Sequence, residues 1–397
     1  MSAISELLAQ GRTKDARRQA ERVLAEKPNN AEALVALAKA QLVEGEVAPA
    51  EATIARAEAA GAQPAEVLVL RGSLAGERDQ VEQALGFYQK AAQMDPNRAE
   101  AHFGTGVMLA QQRRYQESLP YFEHAVKLQP RGGVLHYHLA QNLIRMDQHQ
   151  RALEHLEQAV ALNPLYPPAY QLLAKILCIL RKQPAAKKLL EEGLKLLKGD
   201  VTLRGELTNV LVQMGDAAGA EAVARALVKD HPDDAGVQEN HAVTLVGLGR
   251  AKEALEKIRD LEKKGIRTAR LKSTEAVVLQ ARTPPDVEGA LKALEEAMAL
   301  DAEDWRAACD LGLLLLQKGT PPERAVPRAV TVLEEALRRA PDRQEVLLNL
   351  ALAYVRVNDR PRALELAKRV VALKLPDGDP AREQAERLVK KLAGSSK

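Results

Sequence analysis

Alanine returns along this chain at a fixed interval, at Ala16, Ala50, Ala84, Ala152, Ala186, Ala220 and Ala254. Each step is 34 residues, or twice that across Ser118, which stands where one alanine is missing. The series continues at Ala290, Ala329 and Ala363 after steps of 36, 39 and 34. A second series of small residues runs beside it: Ala38, Gly72, Gly106, Ala140, Ala174, Thr208, Ala242, Ala276, Gly312 and Ala351. It trails the first by 22 residues even where the period breaks, so two extra residues lie between Ala276 and Ala290 and five between Gly312 and Ala329. Each insert carries Thr-Pro-Pro, at 283–285 and 320–322. Such a period is the mark of one supersecondary unit that buries its apolar face only against its neighbours.

The unit is helical. Aromatic residues make up only 3% of the chain, and period-2 runs of β-branched residues are absent, whereas Ala, Leu, Glu, Lys, Gln and Arg abound. Two antiparallel helices approach closely only where the crossing residues are small, which is what the two series supply. Large residues at a fixed offset fill around them: Tyr88, Phe122, Leu156, Leu190, Ile258, Leu294 and Leu333 follow the first series by four. Pro28, Pro96, Pro130, Pro164, Pro232 and Pro341 recur twelve residues after it and should stop the second helix. Pro184, Pro327 and Pro361 fall in the expected first turn of a second helix, where proline is tolerated.

This pattern resembles the tetratricopeptide repeat family, with the first series at position 20 and the second at position 8 of each repeat. The resemblance covers about 2–375 and implies an all-α, right-handed α-solenoid of about eleven helix–turn–helix units, with first helices lining a concave face. The expected organisation is a solenoid over 1–376, with insertions between first and second helices near 283–286 and 319–327. A C-terminal capping helix and short tail follow over 377–397, where Ala381, Ala385, Leu388 and Leu392 form an apolar stripe. Some positions depart from the pattern. Lys198 and Ile266 replace the proline stop, Arg204 and Lys272 stand at position 4 where an apolar residue is expected, and the first repeat has a truncated first helix. These are the expected weak links.

The resemblance also implies that positions 2, 5, 6 and 9 of each first helix face a groove that takes a peptide or helix of a protein partner. In repeats four to six these include Phe103, Val107, Tyr137, His138, Gln141, Gln171 and Lys175. Nine of the ten Phe and Tyr residues lie between 87 and 170, but only Phe103 and Tyr137 are left over for the groove once packing positions are assigned. Contact with adjacent repeats is the competing reading. Cys309, Leu313, Leu348 and Leu352 form a second apolar groove patch, open to a helix or another subunit, or else covered by the capping helix. The two Thr-Pro-Pro loops should project from one edge. The family's carboxylate clamp is absent, since Lys39, Lys175, Arg270 and Arg306 are the only basic residues at those positions and do not form its constellation.

The residues point away from catalysis. No Gly-rich phosphate loop, nucleophile elbow or HExxH occurs. Six of eight histidines lie at 102–155, but His102 and His136 hold the same packing position one repeat apart, and His124, His149 and His155 on second helices need not converge with them. No metal or cofactor is expected. Cys178 and Cys309 lie nearly four repeats apart, too far for a disulfide. The net charge of +3 does not imply a nucleic-acid surface. A local basic stretch at 250–272 nonetheless keeps an RNA-binding solenoid as an alternative. The N-terminal stretch lacks an apolar signal core, and no window reaches the ~18 apolar residues of a membrane span. The expectation is a cytoplasmic, non-enzymatic protein–protein interaction scaffold or adaptor within a multiprotein assembly, self-association remaining open. An accessory subunit of an enzyme, or of a secretion, pilus or motility machine, is a second alternative.

Overall fold

The computed structural model describes Ile4, Leu7 and residues 12–319, 321–373 and 379–394. It holds twenty-two helices with both ends placed, and no strand among the described residues. The truncated first helix of repeat one lies mostly outside the described residues. The chain divides into two compact units, Met1–Leu197 and Lys198–Lys397. In the first, α1 (Thr13–Glu26) precedes the pairs α2 (Ala31–Val43) and α3 (Val47–Ala59), α4 (Pro64–Glu77) and α5 (Val81–Met94), and α6 (Ala99–Gln111) and α7 (Tyr115–Leu128). Two further pairs complete it, α8 (Gly133–Arg145) with α9 (His149–Leu162) and α10 (Pro167–Ile179) with α11 (Gln183–Leu196). The second unit pairs α12 (Val201–Gln213) with α13 (Ala217–Asp230), α14 (Ala235–Gly247) with α15 (Ala251–Lys263), and α16 (Ala269–Gln280) with α17 (Val287–Leu300). It continues with α18 (Trp305–Lys318) and α19 (Pro322–Arg339), then α20 (Gln344–Arg356) and α21 (Arg360–Ala372), and ends in α22 (Pro380–Gly394).

All eleven residues of the first periodic series, Ser118 included, are wholly buried. A serine there needs a hydrogen-bond partner. Asn142, itself buried, provides it: its Oδ1 accepts from Ser118 Oγ at 2.7 Å, and its Nδ2 donates to the Tyr115 carbonyl at 3.0 Å. The second series is equally constrained, since a Cβ added at Gly312 would lie 2.4 Å from Leu333 Cγ.

The turn between paired helices rests on a residue the periodic series do not contain. Gly45, Asp79, Arg113, Asp147, Arg181, Gly215, Gly249 and Asn358 occupy one position of the repeat, and all have φ between 56° and 76°. The next N–H then reaches back five residues, as from Arg114 to the Leu109 carbonyl at 2.9 Å. That is the left-handed closure that satisfies the last carbonyls of a helix.

Between repeats, the proline carbonyls are held by side chains. His102 Nε2 meets the Pro96 carbonyl at 2.9 Å, His136 Nε2 that of Pro130 at 3.1 Å, and Gln238 Nε2 that of Pro232 at 2.5 Å. All three residues stand at position 4, so polar side chains there clamp the turn. Where Ile266 stands in place of the proline, α15 instead ends through Gly265 at φ 82°, and Ile266 N–H bonds the Leu261 carbonyl at 3.0 Å.

Lys272 and Arg204, expected as weak links, both carry partners. Lys272 is buried and bridges Glu262, Glu275 at 2.9 Å and Glu296 at 2.9 Å. Arg204 meets Asp230 at 2.6 Å.

Two expectations need correction. The five-residue insert does not form a projecting loop: Pro322 opens α19, an 18-residue helix that absorbs the insert as an extra turn and buries Ala325 and Val326. Proline fits the first helical position and the residues after it favour helix, which explains the extension. Pro327 consequently lies inside the helix rather than in its first turn. Thr320 lies outside the described residues. The capping helix forms as read, with Asp379 Oδ1 accepting from Ala381 N–H at 2.9 Å, and Ala385 and Leu388 buried against the preceding repeat.

Candidate partner-binding groove

In the first unit the first helices of neighbouring repeats touch directly, α2 on α4, α4 on α6 and α6 on α8. They therefore make the inner layer, and the side chains they turn from the second helices line its surface. On that surface the rings form one chain. Phe103 lies 6.0 Å from Phe122 between centroids and 5.1 Å edge-on from His138. His138 is 5.3 Å from Tyr137, and Tyr137 is 5.2 Å from Tyr166 at an interplanar angle of 87°. These are edge-to-face spacings, each adding to the area buried.

Phe103, Tyr137, His138 and Tyr166 are each partly exposed, as are Val107 and Gln141, while Lys175 is exposed. Gln141 Nε2 donates to Tyr137 Oη at 3.0 Å and fixes the phenol. Burial, and secondarily the neighbouring Tyr166, pushes the Tyr137 phenol up. Burial holds the His138 imidazole below its ordinary value, partly offset by Gln141. Val134, at position 2 of its repeat, adds apolar surface at 42% exposure. The structure thus joins Phe103, Tyr137, His138 and Gln141 in one cluster, with Val107 one turn along α6 from Phe103. Gln171 and Lys175 lie on α10, outside the ring chain.

Tyr166 was not among the sequence candidates. It precedes α10 as the residue before Pro167-Pro168, in a turn that helix periodicity does not describe. A tyrosine fixed ahead of two prolines was the available signal.

The second patch is mostly closed. Cys309 and Leu348 are buried, and only Leu313 and Leu352 are partly exposed. Leu352 packs on the same core as α22. Burial raises the Cys309 thiol to about 11, while Asn349 Nδ2 sits 3.3 Å from its sulfur.

Four basic residues of the 250–272 stretch are paired with carboxylates, while Lys252, Arg259, Lys263 and Arg270 are exposed. Arg250 pairs with Glu221 and Glu253 at 2.5 Å each, Lys264 with Asp260 at 3.0 Å, and Arg267 with Glu296 at 3.0 Å. Lys272 is buried among its three carboxylates.

The histidines do converge, contrary to the sequence expectation. His102 and His124 lie 4.3 Å apart between centroids, and His136 and His155 bring their Nδ1 atoms to 3.0 Å. Helix pairing puts position 4 of a first helix over the second helix of the same repeat, a neighbourhood that separation along the chain conceals. No group of three or more His, Cys, Asp or Glu side chains suited to a metal occurs among the described residues. No described helix is long and apolar enough to cross a membrane.

Profiles described as tetratricopeptide repeat match residues 7–74 and 109–177, and again 69–132, 207–266 and 323–380. Together they span most of the sequence, and the chain belongs to the tetratricopeptide repeat family, whose repeats serve as protein–protein interaction scaffolds rather than catalysts. The chain is similar to yeast Tom70, with a TM-score of 0.60 at 15% identity over 99% of this chain and 88% of that one. It is also similar to a tetratricopeptide repeat protein from Parabacteroides merdae ATCC 43184, with a TM-score of 0.56 at 16% identity over 64% and 99%. At these identities the likeness is one of fold. No curated protein matches the chain.

Proposed function

We propose that the first unit binds a peptide or helix of a partner protein on the ring chain formed by Phe103, His138, Tyr137 and Tyr166. The observation that carries this reading is the continuity of those half-exposed rings from repeat four through repeat five to the turn before α10. Aromatic side chains offer large contact area with few torsions to freeze, so they dominate interface energetics. A row of them along stacked helices suits a segment lying across the repeats, with its anchors one repeat apart. Gln141 and Lys175 would supply polar contacts at the margin. Within this reading the chain is a non-enzymatic adaptor of a larger assembly.

Affinity capture with the full chain beside a Phe103→Ala, Tyr137→Ala variant tests it, after far-UV circular dichroism shows both folded. Selective loss of captured proteins by the variant is expected. If every one of them survives the double change, the ring chain is not the binding surface.

A further inference from the structure

We propose that His136 and His155 form a two-histidine site for a borderline divalent transition-metal ion of the Cu²⁺, Ni²⁺ or Zn²⁺ class. The site is separate from the ring chain and does not depend on the groove reading. Its geometry is set by both helices of repeat five. His136, in the first turn of α8, is 7% exposed, and His155, in the middle of α9, is partly exposed. Their Nδ1 atoms face each other at 3.0 Å.

The other nitrogen of His136 settles its tautomer. Nε2 lies 3.1 Å from the Pro130 carbonyl, which can only accept, so Nε2 carries the proton and Nδ1 presents a lone pair. A backbone carbonyl holding the distal ring nitrogen is the arrangement that orients metal-ligating histidines and raises their basicity. In the metal-free pair, the proton on His155 Nδ1 fills the gap between the rings. An ion at about 2.0–2.1 Å from each nitrogen would replace that proton, the two nitrogens then standing about 3.3 Å apart at a tetrahedral angle. The nitrogens need part by a few tenths of an ångström, and the rings must tilt so that both lone pairs meet the ion to one side of the line between them. His155, being partly exposed, moves its proton to Nε2 through water and stays neutral.

Two imidazoles select metals that favour nitrogen, with water completing the shell, and exclude Mg²⁺ and Ca²⁺, which need oxygen ligands. The nearby positive charge of Arg151 is countered by Glu123 at 2.6 Å. The pair at His102 and His124 has ring centroids 4.3 Å apart, with His102 Nε2 likewise on a proline carbonyl but no hydrogen bond between the two rings, and serves as an internal control.

The test is calorimetric titration of the full chain with NiCl2 and with CuCl2, together with nitrogen hyperfine structure in the Cu²⁺ electron paramagnetic resonance spectrum. The variants are His136→Gln, His155→Gln and His124→Gln. Glutamine at position 136 should keep the turn clamp, because Gln238 bonds Pro232 from the same position of its own repeat. The expected result is one saturable ion per chain with two-nitrogen hyperfine structure. Affinity should fall at least about tenfold in His136→Gln and in His155→Gln, and should be unchanged in His124→Gln. Absence of saturable binding by the wild-type chain overturns the site, and so does equal binding by both His136→Gln and His155→Gln.

Discussion

Tyr88 of α5 lies so close against Gly104 of α6 that a Cβ at Gly104 would stand 2.4 Å from Tyr88 Cε1. The same ring also covers Gly72, where a Cβ would lie 2.9 Å away. One tyrosine therefore sits in a slot made by two glycines of successive repeats, its Oη hydrogen-bonded to Ser73 Oγ at 2.9 Å.

Gly104→Ala should cost about 1–3 kcal/mol, the usual penalty of overpacking a filled crossing. Urea denaturation measures the loss. In the Tyr88→Leu background the penalty should shrink, because the flat ring is what the methyl meets. Full additivity of the two changes would show that the pair is not coupled.

At Arg113 the chain accepts a left-handed conformation, φ 59°, with a side chain that disfavours it. The equivalent residues Gly45, Gly215 and Gly249 adopt it freely. Arg113→Gly should raise stability by about 1 kcal/mol, read as a higher urea midpoint at unchanged slope. A lower midpoint would mean that Arg113 makes compensating contacts.

Lys272 sits 8% exposed among Glu262, Glu275 and Glu296. Burial alone would lower its pKa, but hydrogen bonds to Glu262, Glu296 and Glu275 hold it above the ordinary lysine range. Lys272→Ala leaves three carboxylates facing one another and should cost about 2–4 kcal/mol. The loss should show in chemical denaturation at pH 7, and Lys272→Met, which keeps the length of the side chain without its charge, should lose stability too. Wild-type stability in Lys272→Met would refute the charge-cluster account.

Protonation of His138 opposes folding. Its folded pKa lies below that of an unfolded histidine, about 6.5. The unfolded chain then binds the proton more readily. The contribution is intact above about pH 6.5 and is lost as pH falls through the lower folded value. The thermal midpoint should therefore drop between pH 7.5 and pH 5, with His155 and His241 adding to the effect because their pKa values are lowered in the same sense. His138→Phe should reduce the drop. An identical pH profile for the variant would exclude His138 as a contributor.

Cys309 should resist iodoacetamide at pH 8, since its thiol is buried and its pKa is raised to about 11. Mass spectrometry after peptide digestion should find it alkylated only once denaturant is added. Rapid labelling of the native chain would show that the last two repeats open readily.

Much of the fold was legible because tandem units impose one steric demand again and again. A crossing that admits only Ala, Gly, Ser or Thr writes itself into the sequence at Ala16, Ala50, Ala84 and onward, and every one of those first-series residues is buried. The proline stops were legible for the same reason. The left-handed turn position was harder to find, since Gly, Asp, Arg and Asn all fill it and its signature is a dihedral angle rather than a residue type. The insert at 319–327 misled because Thr-Pro-Pro signals a loop, whereas proline at the first position of a helix also begins one.

The sequence by itself determined the unit, its helical content and its repetition, while the family resemblance implied the register that turns Phe103 and Tyr137 toward the inner layer. Tertiary structure alone decided which side chains from different helices meet. It brought Tyr166 onto Tyr137, enclosed Cys309 and Leu348, surrounded Lys272 with carboxylates and turned His155 toward His136. The physical reason is that periodicity records what each residue must be toward its own repeat. Contact across helices depends on the angle and depth at which two surfaces nest, and a few tenths of an ångström there separate a hydrogen-bonded pair from two unrelated rings.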